Sequence, residues 1–305
     1  MERFEIVFAA DEKYVRHLAT SIKSLLVNNP DLLLNIYIIN SDIKKKDWNI
    51  IAGLDEKGNC EFFDLKISKN QLSGLKINYH FSIANYYRLF IPDLVLSDRA
   101  LYIDSDTLVV DSLGDLFKLQ IDSFLLAAVI DPGFHNHKKL GLSRDSSYFN
   151  SGVMLINLKA WRANNIKNKV ISFVENNPHL IEFVDQCGLN AIIDGNWLEI
   201  DPKYNCQSLF FQNNYKNISM NDIYKIAQQA LAKPAIIHFT GSMKPWNMHS
   251  KHPYKSSYWQ YRNMTPYKSF FSDDFSLVNL LKSFMPNPIK KIIKKLYAFN
   301  LSQGV

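Results

Sequence analysis

The chain has 305 residues, 47% hydrophobic and 21% charged, enough for one large α/β domain with an extension and too apolar for wholesale disorder. Its net charge of +6 sits at the end: residues 275–305 hold five lysines and no Arg, Asp or Glu, leaving 30 basic against 29 acidic residues in 1–274. The body lacks the basic excess that nucleic-acid binding needs, so no nucleic-acid partner is expected.

The opening MERFEIVFAADEKY has one short apolar run that meets Asp11 and Glu12, unlike a secretory leader. No run of 18 apolar residues is present to span a membrane. Cys60, Cys187 and Cys206 are far apart and odd in number, as expected of reduced thiols in a cytoplasmic protein.

EIVFAA (Glu5–Ala10) reads as a buried first strand, and residues 14–28 have apolar positions at helical spacing. Leu32–Asn40 is a second strand, Lys44–Leu54 a helix and Cys60–Leu65 a third strand. Ala84–Phe90 is predicted helical, and Ala100–Ile103 is a strand. Phe124–Asp131 and Ser151–Leu158 are further strands, Trp161–Glu175 and Gln186–Ile193 helices, and Ala235–Thr240 a closing strand. This alternation predicts a Rossmann-like α/β sheet that continues as a mixed sheet.

Ligands of such sheets bind beyond the carboxyl ends of strands. Asp11, Asp104, Asp131 and His238 each fall at or just after a predicted strand end, which predicts one shared site. The alternative for each is a loop or helix cap.

The segment LYIDSDTLVV (Leu101–Val110) places Asp104 and Asp106 two apart, on one face of an extended chain. An EF-hand loop fails, because Leu108 and Val109 occupy positions where that loop needs an oxygen ligand and a glycine. An aspartyl-phosphate phosphatase fits poorly: Leu108 stands at the motif's fifth position, and no strand leads into Asp273-Asp274. A divalent cation holding a nucleotide diphosphate fits best, because the metal makes clustered anions tolerable. In HFTGSMKPW (His238–Trp246), His238 can be a third ligand. Gly241 admits phosphate oxygens close to the backbone, and Lys244 can neutralise a leaving diphosphate.

FAADEKY, YYRLFIPDL, LYIDSDTLV, YFNSGVMLINLKAWR, the DQ of VDQCGLN and HFTGSMKPW occur in the order and spacing of one family. From about residue 3 to 265 the chain resembles the family 8 retaining glycosyltransferases, GT-A enzymes that use UDP-sugars and Mn²⁺. Within that family it looks most like bacterial galactosyl- and glucosyltransferases of lipopolysaccharide or lipooligosaccharide cores.

The resemblance implies a GT-A domain over 1–250 and an extension over 251–305. It implies that Asp104, Asp106 and His238 hold Mn²⁺, with Mg²⁺ as the alternative. It places Asp11 at the uracil edge, Ala9 in the same pocket and Tyr14 near the base, with Ser105 also among the donor-binding residues. Arg88 matches an arginine near the donor sugar, and on an otherwise apolar helix its guanidinium needs anions nearby. Asp131 and Asn150 match residues lining the donor or acceptor sugar. Asp185 matches a residue holding donor hydroxyls, and Gln186 one facing the anomeric carbon; Gln186, Asp185 and Asp131 form the implied catalytic set. Gly241 and Lys244 match the diphosphate contacts. Lys13 stands where the family commonly has Asn, and Cys187-Gly188 where many members have Asp and an apolar residue.

His80 is weighed between an acceptor contact and a loop role. His17, His135, His137, His179, His249 and His252 are expected in solvent or as hydrogen-bonded loop residues. Tyr86 and Tyr87 are weighed between sugar stacking and core, Trp246 between pocket wall and packing, and Cys187 is expected to pack. After Pro288, Ile289, Ile292, Ile293, Leu296 and Tyr297 share one helical face opposite Lys290, Lys291, Lys294 and Lys295. A basic amphipathic helix over about 288–299 predicts attachment to an anionic inner-leaflet surface, the alternative being docking on the protein itself.

The predicted function is metal-dependent transfer of a hexose from UDP-galactose or UDP-glucose to a glycan or glycolipid hydroxyl, in a cytoplasmic, peripherally membrane-bound protein. The alternatives are a self-glucosylating primer like glycogenin and a non-catalytic UDP-sugar-binding module.

Overall fold

The structure, a computed structural model, describes residues 3–68, 82–134, 137–143, 147–211, 220–269, 271–277 and 279–280. The first three predicted strands form as β1 (Arg3–Ala9), β2 (Leu33–Asn40) and β3 (Cys60–Lys66), paired in parallel. Helices α1 (Val15–Asn28) and α2 (Lys45–Ala52) make the crossovers between them. A 3-10 helix, Ile83–Phe90, runs into the short α3 (Ile91–Leu94), and β4 (Arg99–Ile103) then pairs parallel on the free side of β1.

The chain next leaves this sheet. β5 (Thr107–Val109) belongs to a second, smaller sheet, and the short α4 (Gly114–Phe117) follows it. β6 (Leu126–Ile130) and β7 (Phe149–Asn157) return to the first sheet, where β7 lies antiparallel to both β4 and β6. Helices α5 (Leu158–Ala163), α6 (Ile166–Asn176) and α7 (Val184–Ile193) precede β8 (Trp197–Glu199), which completes the order β3-β2-β1-β4-β7-β6-β8. β9 (Cys206–Gln207) and β10 (Ile236–His238), with α8 (Met220–Ala232) between them in the chain, complete the small sheet β5-β10-β9, and α9 (Lys255–Asn263) follows.

Both faces of the large sheet are covered, so its strands read as apolar runs. Strand parity sorts them: Tyr102 and Met154 join Trp161, Val170 and Leu189 on one side, while Leu101 and Ile103 join Leu18 and Ile22 on the other. Leu108, Ile237, Phe239 and Tyr258 form a third core around the small sheet.

Several expectations are corrected. The predicted helix Trp161–Glu175 breaks into α5 and α6 at Asn165, whose left-handed backbone (φ 52°) is one that Asn tolerates. Ala84–Phe90 is helical as expected, in the tighter 3-10 form, and is entered through a Ser82–Asn85 capping box. Gly188 lets α7 close on α6 through its bare Cα, because a Cβ there would stand 2.8 Å from Val174 Cγ2 and 2.9 Å from Val170 Cγ1. His80, His135 and the predicted 288–299 helix lie outside the described residues, as does the side chain of His137.

Candidate active site

Asp11, Asp104 and Asp131 follow the carboxyl ends of β1, β4 and β6, and His238 ends β10. Because β7 runs the other way, its beginning, Asn150–Ser151–Gly152, reaches the same edge. The first turn of α7 adds Asp185 and Gln186, and the 3-10 helix Ile83–Phe90 adds Arg88. These residues line one cavity of about 690 Å³, together with the other predicted positions Ala9, Tyr14, Ser105, Asp106, Gly241 and Lys244. Lys13 is exposed and not part of that lining.

Asp104, Asp106 and His238 converge, each with a ligand atom within 4.8 Å of the others. His238 Nε2 lies 3.3 Å from Asp106 Oδ1 and 3.7 Å from Asp104 Oδ2, and its Nδ1 is 2.9 Å from Asn205 Oδ1. Two carboxylates and an imidazole suit a divalent cation of the Mn²⁺ or Mg²⁺ kind. Gly152 keeps the space beside them clear: a Cβ there would stand 2.1 Å from His238 Cε1 and 2.7 Å from Asp104 Oδ2.

The repulsion between the two aspartates is offset separately for each. Asp104 Oδ1 accepts from Arg88 Nη2 at 2.9 Å and from the Tyr102 hydroxyl at 2.6 Å. Asp106 pairs with Lys244 through its other oxygen. Burial disfavours its charge, but Lys244 and His238 outweigh that and hold its carboxyl below the usual range. Ser105 turns away and donates to the Ala9 carbonyl at 2.7 Å, which ties the D-x-D turn to the end of β1.

Arg88 is the hub behind this turn and is 3% exposed. It donates to Asp185 Oδ2 at 3.1 Å and to the Ser151 carbonyl at 2.7 Å, and it lies over the Tyr102 ring. For Asp185 the balance reverses. Burial, which the Arg88 charge only partly opposes, pushes its carboxyl up to about 6. Val184, just before it, has φ 33°, a strained conformation for a β-branched residue at the point where the two site residues are delivered.

At the other end of the cavity, Asp11 caps the 3-10 helix Glu12–Tyr14 through the Tyr14 N–H and accepts from Ser82 Oγ at 3.0 Å. Trp246 both lines the cavity and packs, stacking on His17 at 3.6 Å between ring centroids. His17 corrects the expectation of a solvent or loop residue: it is 4% exposed on α1, with Nδ1 2.7 Å from Tyr258 Oη and Nε2 3.4 Å from Asp273 Oδ2. Burial, with Arg262 and Arg16 nearby, holds its imidazole neutral well below the usual pKa. Tyr86 and Tyr87 are both core, and Cys187 packs buried against Tyr148. His179 and His249 are exposed, as expected.

Four contributors were not among the predicted site residues. Tyr102 could have been found by parity, two residues before Asp104 on the same strand face. Gly152 and Ser151 lie inside the quoted YFNSGVMLINLKAWR segment, at the start of β7. Asn205 carries no sequence signal, because a lone Asn in KYNCQ reads as a turn residue.

Comparison with known proteins agrees with this geometry. The sequence model of Glycosyl transferase family 8 matches residues 5–250. General stress protein A of Bacillus subtilis is 34% identical over 275 residues, 88% of this chain and 96% of its own length. Glycosyltransferase GlyF of Streptococcus pneumoniae is 31% identical over 86% of this chain, which spans 62% of that longer protein. Among solved structures, galactosyltransferase LgtC in complex with donor and acceptor sugar analogs superposes with a TM-score of 0.78 at 26% identity, covering 86% of this chain and 96% of LgtC. Its mixed sheet is the GT-A sheet seen here. The order of motifs, the shared fold and the matched span lead to one conclusion: the chain belongs to glycosyltransferase family 8.

Proposed function

We propose that this protein transfers a hexose, galactose or glucose, from a UDP-sugar to a hydroxyl of a glycan or glycolipid, with retention at the anomeric carbon. The observation that carries the reading is the convergence of Asp104, Asp106 and His238 in the cavity that also holds Gln186 and Lys244. The likeness to a galactosyltransferase solved with donor and acceptor sugar analogs supports it. A bound Mn²⁺ or Mg²⁺ supplies Lewis-acid stabilisation of the departing diphosphate.

Asp11, Tyr14 and Ala9 receive the base, Gly241 presents backbone to the diphosphate, and the Lys244 ammonium, paired with Asp106, also stabilises the negative charge that develops on the leaving group. Arg88 holds Asp185 and Asp104 in place, and Asp185, Asp131 and Asn150 orient the sugar. Gln186 faces the reacting carbon but is a poor nucleophile. Asp185 Oδ2 is engaged by Arg88 and Ser151, and the residue is 2% exposed, which argues against a covalent route through it. Same-face attack, with the leaving phosphate taking the acceptor's proton, is therefore the proposed course.

No helix among the described residues is long and apolar enough to cross a membrane. We place the protein at the inner membrane face through residues 288–299, with 1–250 as the catalytic domain. UDP release with a panel of UDP-sugars, with Mn²⁺ and then chelator, followed by NMR of the product, tests the proposal. Release that is equal with chelator would refute the metal role. Labelled sugar appearing on the protein itself would favour a self-glucosylating primer.

A further inference from the structure

Behind the cavity a file of side-chain amides runs from His238 to Gln186, and two consecutive backbone N–H groups fix its polarity. The Gly152 N–H donates to Asn150 Oδ1 at 3.0 Å. A backbone N–H can only donate, so this atom of Asn150 must be its oxygen. Asn205, wholly buried, meets the same oxygen at 2.9 Å and must present Nδ2 to it. Its remaining Oδ1 then faces His238 Nδ1 at 2.9 Å and can only accept. In the other direction Asn150 Nδ2 donates to Asp131 Oδ2 at 3.1 Å. Gln186 Nε2 donates to that same oxygen at 3.0 Å, because the Ser151 N–H occupies Gln186 Oε1 at 3.0 Å.

From this we infer that Asn205 is a positioning residue, which keeps a proton on His238 Nδ1 and so leaves Nε2 as the nitrogen that faces Asp104 and Asp106 and would take a cation. The inference rests on the metal reading above for its purpose, but not for its geometry. The imidazole needs a neutral nitrogen lone pair toward a cation, and the tautomer of a ligand histidine is set by what its other nitrogen donates to. Asn205 supplies that acceptor without adding charge to an already acidic cluster. The same file aligns Gln186, so one stretch of strand backbone, Ser151–Gly152 at the start of β7, orients both His238 and the amide at the reacting centre.

Two measurements test this. The first is a long-range proton–nitrogen correlation spectrum of His238 in the metal-free full chain. The expected result is an Nδ1 that carries a proton; an Nδ1 without one, with the proton on Nε2 alone, overturns the inference. The second is titration with Mn²⁺ alone, followed by paramagnetic resonance, of the unchanged protein, Asn205→Ala and Asn205→Asp. Asn205→Ala should weaken binding about 10- to 100-fold, the usual cost of losing a ligand's hydrogen-bond partner. Asn205→Asp, which keeps an acceptor for Nδ1 but sets a second oxygen against Asn150 Oδ1, should bind Mn²⁺ more tightly than Asn205→Ala and less tightly than the unchanged protein. Equal affinity of Asn205→Ala and the unchanged protein overturns the inference. If the unchanged protein binds no Mn²⁺, the metal reading fails alone, and the tautomer spectrum still decides the role of Asn205.

Discussion

Arg88 and Asp185 form an ion pair, Nε to Oδ2 at 3.1 Å, with side chains only 4% and 3% exposed, in which desolvation prevails over attraction. The Asp185 carboxyl, ordinarily at 3.8, is raised to about 6 because burial outweighs the partner's charge. The folded state therefore holds a proton that the unfolded state releases. For this group alone, stability is greatest below 3.8 and declines as pH rises through about 6. The full decline is ~3 kcal/mol, from the free-energy equivalent of the shift. Asp185→Asn should remove this slope between those values, read from denaturant midpoints across pH. A carboxyl carbon titration placing Asp185 at or below its ordinary value would refute the balance.

Gly152→Ala should act at the metal cluster more than on the fold. Its methyl would fall 2.1 Å from His238 Cε1, so the imidazole must swing away from Asp104 and Asp106. Overpacking of this kind costs about 1–3 kcal/mol. We expect Mn²⁺ affinity to fall at least tenfold, on the order of a lost supporting contact. Gly188→Ala is the matched control, crowding Val170 and Val174 at a similar stability cost with metal affinity unchanged. Equal metal affinity in both variants would contradict the assignment of the Gly152 space.

Asp106→Asn keeps the shape of the turn and removes the charge that Lys244 and His238 share. Transfer and Mn²⁺ binding should both fall on the order of 100-fold or more, at least the upper end of what a supporting contact is worth. Isothermal titration with Mn²⁺, beside a UDP-release assay, measures the two together. Retained binding would move the site elsewhere in the cavity.

The C-terminal segment is tied into the turn that carries Lys244. Asp273 accepts from Arg262 at 2.7 Å, and its N–H donates to the Trp246 carbonyl, while Asp274 caps the Met248 N–H at 2.7 Å. A chain cut after Asp274 should keep donor hydrolysis and lose binding to anionic vesicles. A chain cut before Asp273 leaves Arg262, 3% exposed, without its carboxylate. That should cost about 3–5 kcal/mol, the effect of breaking a buried pair. Urea midpoints of the two truncations, with vesicle sedimentation, separate the outcomes. Vesicle binding by the shorter folded form would defeat the membrane proposal.

Much of the parallel half of the fold was legible, because β1 to β4 and their crossovers carry clear periods. Strands β5, β8 and β9 were not, since runs of two or three residues have no period to read. The charged members of the cluster were legible from spacing and strand ends. The neutral members were not. Asn205 and Gly152 act through an amide's polarity and a missing Cβ, which depend on neighbours about 35 to 85 residues away in the chain. His17 looked like a surface residue for the same reason, as its partners Tyr258 and Asp273 come from the far end of the chain.

Asp104 follows a strand of the large sheet, the chain crosses at Asp106, and His238 ends a strand of the small one. A cation gripped by all of them acts as a rivet through the seam between the sheets. Its binding energy then adds to the adhesion of the small sheet, about 2.7 kcal/mol at a hundredfold excess over the dissociation constant. Slower amide exchange along β10 on adding Mn²⁺, with β2 unchanged, is the local signature of that riveting.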